Sequence, residues 1–164
     1  MERITIHSGL ERFVLVDGIT ETDPGTIKGY KHFDRAPIFL GIEALAQLGA
    51  LHVRVTAAFA RHAFLLGIKR CTVSSGELLD GRYTLLGAVI GRTTTAFSYL
   101  LEASKEGRVG IDGEFLFATV EYDGVFRKEV LESHYRKVFL CLSNASESGS
   151  RCNGKPASTA SPRR

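Results

Sequence analysis

Cysteine is scarce in this chain, and its three copies, Cys71, Cys141 and Cys152, form an odd count with no close pair. That pattern fits neither a disulfide framework nor a zinc site, so ordinary thiols are the expectation. Cationic excess is nearly missing as well. The formal net charge is +3, yet Arg151, Lys155, Arg163 and Arg164 all lie beyond Ser143. Without those four side chains no basic excess is left, and nothing in the charge balance points to nucleic acid. The opening MERITIHSGLERF lacks the apolar centre of a signal peptide. No segment reaches the roughly twenty uninterrupted apolar residues that a bilayer requires. There is no phosphate-binding glycine loop and no internal repeat. A cytoplasmic protein with no membrane and no nucleic-acid partner is the expectation.

What is present is enough apolar sequence for one core. At 164 residues, 44% apolar and 24% charged, the chain suits one compact domain and is short for two. From Ser143 onward the composition turns to Ser, Asn, Gly, Pro and Arg, which cannot repay the entropy of ordering. Residues 1–142 are therefore expected to form the domain, and 143–164 a mobile tail.

The domain is organised around one stretch, Pro37 to Arg61. Ile38, Phe39, Leu40, Ile42, Leu45, Leu48, Leu51, Val53, Val55 and Phe59 cover almost the whole circumference of a helix, which places it inside the protein. Asp34 suits the N-cap and Pro37 the first turn. Around this helix the pattern is extended. Arg12 to Ile19 and Thr26 to Phe33 flank the turn signal Asp23-Pro24-Gly25. Later, Arg82 to Ile90, Thr93 to Ser104 and Val109 to Tyr122 are separated by Gly91-Arg92 and Lys105-Glu106-Gly107, as in an antiparallel meander. Lys128 to Leu142 puts Leu131, Tyr135, Val138 and Leu142 on one helical stripe. The fold class is α+β, a sheet wrapped around a central helix.

Gly41-Ile42-Glu43-Ala44-Leu45-Ala46-Gln47 resembles the start of the central helix in the hot dog fold β-hydroxyacyl-ACP dehydratases. Leu10 to Ile19, Gly67 to Gly81 and Glu114 to Ala118 are similar to other segments of that family, in the same order. The wording P-I-F-L-G-I-E-A-L-A-Q is closer to the dehydratase-like branch of aryl-polyene biosynthesis. The resemblance implies a hot dog fold, an antiparallel sheet wrapped around a long central helix, here with an added C-terminal helix. It also implies a homodimer, or a trimer of dimers, acting on acyl carrier protein or CoA thioesters without a metal or redox cofactor. The reaction would be removal of water from a 3-hydroxyacyl thioester. A hot dog thioesterase, or a non-catalytic acyl-binding subunit, is the alternative.

By this resemblance Glu43 is the acid/base, Gln47 one turn later holds its carboxyl or a water, and His32 echoes the family's catalytic histidine. Backbone N–H groups from Ile38 to Gly41 would polarise the thioester carbonyl, and Tyr30 could donate a hydrogen bond. Three registers compete upstream of Glu43: one puts His32 on the catalytic histidine, an ungapped one puts Gly29 there, and a third aligns Lys31 with a strand lysine. The residue types also permit blander roles. Glu43 can pair with Arg54, Gln47 can be a packing amide, and His32 can be a strand-end surface residue. Tyr30 can be a core strand tyrosine, and His52 and His62 are explained by packing and helix capping. Cys71 reads as a small packed side chain.

Overall fold

The computed structural model describes residues 14–148 except positions 75 and 77. In chain order the elements are β1 (Gly18–Thr22), β2 (Thr26–Pro37), α1 (Ile38–Thr56), β3 (His62–Val73), β4 (Leu78–Arg92), β5 (Ala96–Lys105), β6 (Arg108–Val120) and α2 (Lys128–Ser148). The six strands form one sheet in the order β1-β2-β4-β5-β6-β3, with every neighbouring pair antiparallel. The expected meander is β4-β5-β6.

Local chemistry sets the turns. Asp23 accepts the N–H groups of Gly25 and Thr26 at 2.8 and 2.9 Å, which closes the β1–β2 hairpin. Glu106 and Gly107 both have positive φ, 50° and 76°, as a two-residue hairpin turn requires, and Lys105 pairs with Arg108 across it.

The first strand lies later than the sequence suggested, because residues 14–17 belong to no strand. The physical reason is a side chain: the N–H of Leu15 donates to Oε1 of Gln47 at 2.8 Å and so is unavailable to a ladder. Two further expectations are corrected at the helices. Asp34 lies within β2, and the N-cap of α1 is Pro37, with φ −65°, ψ 148° and no side-chain cap. The helix starts directly from the strand, leaving no room for a capping residue ahead of the proline. At the other end of the chain, α2 continues past Leu142 to Ser148.

Helix α1 packs along one face of the sheet, against β2, β3, β4, β5 and β6. Ala44, Leu45, Leu48, Leu51 and Val53 are buried, each large one stabilising the fold by about 1.5–3 kcal/mol. Close approach depends on Gly49, where a Cβ would meet the Phe117 ring at 2.5 Å. By length and composition α1 is apolar enough to cross a membrane, but 56% of its most apolar 18-residue window is buried within the fold. Its apolar surface therefore reads as that of a core helix. Helix α2 docks against β1 and the end of α1, with Tyr135, Val138, Phe139 and Leu142 on the core. Cys141, on this helix, is disulfide-bonded rather than an ordinary thiol.

Candidate functional site

Where α2 and residues 14–16 cover one side of α1, a cavity of about 350 Å³ remains. One stripe of α1 lines it: Glu43, Ala46, Gln47, Ala50, Leu51 and Arg54. Residues spaced three and four apart share a helix face, so this wall is a direct consequence of sequence spacing. The start of β3, from His62 to Leu65, and the stripe His134, Tyr135, Val138 and Leu142 of α2 complete it.

At one end, Nε2 of Gln47 donates to Oε1 of Glu43 at 3.1 Å. Because the amide oxygen already accepts the Leu15 N–H, the amide has one orientation that satisfies both neighbours, and its NH2 faces the carboxylate. Glu43 is half-buried. The alternative role, an ion pair with Arg54, does not form, since Arg54 lies eleven residues on, about 16 Å along the helix axis.

At the other end, Arg54 is buried, 6% exposed. Its Nη2 donates to the carbonyl of Ala63, and its guanidinium carbon lies 3.7 Å from the centre of the Tyr135 ring. Burial pulls the pKa of Arg54 down, and the nearby phenols Tyr135 and Tyr122 partly oppose that. Beside it His62 stacks on Phe126 with ring centres 4.6 Å apart. Burial, and then the charge of Arg54, lower the pKa of His62. Among the described residues, both hold a buried nitrogen with no hydrogen-bond partner, Nε of Arg54 and Nδ1 of His62.

The other expected site residues lie elsewhere. In β2, Ile27 and Phe33 are buried and Gly29 packs on Leu48 of α1, so alternation turns Tyr30 and His32 to the opposite face. Tyr30 lies under the guanidinium of Arg82 at 4.1 Å. His32 is exposed and its backbone N–H donates to Asp17 at 2.7 Å. Within one chain neither lines the cavity with Glu43. Ile38 and Gly41 form the first turn of α1. A Cβ at Gly41 would meet Leu79 and Ile111 at 2.6 Å, so only its backbone can take part in binding.

His52 has the packing role expected: its Nδ1 accepts the Tyr99 hydroxyl at 2.8 Å and its Nε2 donates to the carbonyl of Asp23 at 2.7 Å. His62 does not cap the helix but opens β3. Cys71 is exposed rather than packed. Partial desolvation of the sulfur, and then the neighbouring Asp112, hold its thiol above the ordinary range, which disfavours a nucleophilic role. Sequence reasoning missed Arg54, His62, His134 and Tyr135 as cavity residues. The spacing from Glu43 through Gln47 to Arg54 was a usable signal for the first of these; nothing local marked the others.

No family model matches the sequence, and no curated protein does. Solved structures do match the fold. The dehydratase heterocomplex ApeI:P from Xenorhabdus doucetiae has a TM-score of 0.57 at 14% identity, over 66% of this chain and 84% of that one. A mutant thioesterase from Pseudomonas aeruginosa has a TM-score of 0.55 at 15% identity, over 63% and 80%. A hypothetical thioesterase from Streptococcus pneumoniae, solved with coenzyme A, has a TM-score of 0.54 at 13% identity, over 63% and 87%. The chain therefore has the hot dog fold, as the helix segment around Glu43 implied.

Proposed function

We propose that the protein processes acyl thioesters, with the acyl chain lying along α1 in the cavity and the thioester beside Glu43. One observation carries this reading: Glu43, held by Gln47 and paired with no cation among the described residues, faces a cavity whose wall is otherwise chiefly apolar. A carboxylate in such a place is suited to proton transfer rather than to structure. The start of α1 supports the reading, because Pro37 supplies no side-chain cap. The first N–H groups, those of Ile38, Phe39 and Leu40, then remain for a thioester carbonyl.

Of the reactions open to a carboxylate and an amide, hydrolysis fits the single chain best. Glu43 takes a proton from water, the water oxygen attacks the thioester carbon, the C–S bond breaks, and the thiol leaves with the proton. Dehydration of a 3-hydroxyacyl thioester to the trans-2-enoyl thioester is the second reading. There Glu43 protonates the departing hydroxyl while an imidazole takes the C2 proton. His32 would have to come from a second copy of the chain. Its exposure on β2 favours that, as does the outer edge of β3, which pairs with no strand among the described residues and carries exposed Leu65, Leu66, Ile68 and Val73. The carrier is CoA or acyl carrier protein.

The test incubates the protein with a saturated acyl-CoA and with 3-hydroxyacyl thioesters of both carriers, following free thiol and product mass. Free acid identifies hydrolysis and an enoyl product dehydration. Glu43→Gln should reduce either by about 10²–10⁴-fold, the share of general acid–base catalysis. No turnover of any of these thioesters would remove the catalytic reading and leave an acyl-binding subunit.

A further inference from the structure

The Arg54 end of the cavity has no role in the chemistry at Glu43, yet it is the most expensive part of the site to build. Burying a guanidinium costs several kcal/mol unless its charge and its donors are matched. Here no carboxylate pairs with Arg54 among the described residues. On α2, Glu132 is taken by Lys128 and Arg136. What holds Arg54 is one backbone carbonyl and the face of Tyr135, both of which fix its direction without neutralising it. Next to it His62 is stacked in place and 9% exposed. Arg54 and His62 both line this end of the cavity, and each also holds a buried nitrogen, Nε and Nδ1, with no hydrogen-bond partner among the described residues. Buried donors without partners are rare in folded proteins and ask for an explanation.

We propose that this end recognises a carboxylate carried on the far end of the acyl chain, so that the preferred substrate is an ω-carboxyacyl thioester. The inference rests on the acyl-thioester reading of the cavity. A carboxylate supplies what Arg54 lacks, a negative charge with two acceptor oxygens matched to the guanidinium fork. His62 in the tautomer protonated at Nδ1 supplies a further donor. Tyr135 presents its ring to Arg54, so it orients the cation rather than competing for the ligand. The axial distance of about 16 Å from Glu43 to Arg54, eleven residues apart, makes the site a ruler for chain length. A neutral chain end would leave the charge unmatched and bind less well.

The experiment is isothermal titration of the full chain with monomethyl dodecanedioate and with its ω-hydroxy counterpart, which has the same length and an uncharged end. The carboxylate is expected to bind about ten- to a hundredfold more tightly, the range of one hydrogen bond to a charged group. Arg54→Met should abolish that preference. Where Arg54→Met does not fold, His62→Phe, whose ring can stack on Phe126 in the same way, should reduce it. Equal affinity of the wild type for the two ligands would overturn the proposal while leaving the acyl cavity standing. Absence of binding by either would overturn the cavity reading as well. A preference that survives intact in folded Arg54→Met would also refute the assignment.

Discussion

Gln47 joins the site to the fold, and replacing it separates two bonds that the structure draws from one amide. Gln47→Leu keeps the size and helix propensity of the side chain but removes both of these bonds between described residues. The Leu15 N–H loses its acceptor at 2.8 Å, and an orphaned, partly buried N–H costs about 1–3 kcal/mol. The Glu43 carboxylate loses its donor at 3.1 Å, but it is half-exposed and can recover water. A total near 2 kcal/mol is expected, with the lower half of each range applying. For a domain of this size that is a fall in Tm of about 4–8 °C. In urea the midpoint should fall with m unchanged.

Gln47→Glu divides the effect. Its carboxylate can still accept from Leu15 but faces the Glu43 carboxylate across the old hydrogen bond. Two like charges so close raise the pKa of the pair in the folded state. The folded form then binds more protons than the unfolded one, so stability lost at pH 7 returns as the pH falls toward the ordinary carboxylate range near about 4. Urea melts of the three proteins at pH 7 and pH 4.5 provide the assay. A Gln47→Leu midpoint equivalent to less than about 0.5 kcal/mol of loss, below the cost of an orphaned N–H, would refute this account of the amide. So would a Gln47→Glu curve parallel to wild type across pH.

Three further outcomes follow from the same structure. Gly49→Ala gains about 1 kcal/mol of helix propensity, but its Cβ would meet Phe117 atoms at 2.5 and 2.7 Å. The ring is wedged against Tyr99, so the net change should be a loss of about 1–2 kcal/mol. Gly41→Ala meets only the terminal methyls of Leu79 and Ile111, which can turn aside more easily than a wedged ring, and should cost less in a paired urea melt. Lowering the pH should destabilise the wild type, because burial lowers the pKa of both His52 and His62. The unfolded chain then binds more protons, so stability is complete above the unfolded histidine pKa of about 6.5 and declines as the pH falls below it. Replacing His62 with Phe should flatten that decline, measured as Tm between pH 7.5 and 5. Glu43→Gln should remain folded, with a Tm close to wild type, while losing turnover of whichever thioester the wild type accepts.

The organising helix was legible because burial imposes a pattern that sequence carries openly. Apolar residues all round α1, with Glu43 and Gln47 one turn apart, announced both a core helix and a site on it. Alternation and turn chemistry did the same for β4, β5 and β6. The boundaries were less legible where tertiary contacts override local preference. Leu15 leaves the ladder because a helix side chain takes its N–H, and α1 needs no capping residue because a strand feeds it directly.

By itself, then, the sequence determined the sheet and helix, the carboxylate–amide pair at one end of α1, and the resemblance to acyl-thioester proteins. Only the tertiary structure decided which side chains share a cavity with Glu43. It turned Tyr30 and His32 away, because parity along β2 gives the inward positions to Ile27, Gly29 and Phe33. It brought in His62 and Tyr135 from elements distant in the chain, around an Arg54 that lies too far along α1 to meet Glu43. Periodicity reports which face of an element is buried. It does not report what that face meets, which depends on how elements far apart in sequence pack together.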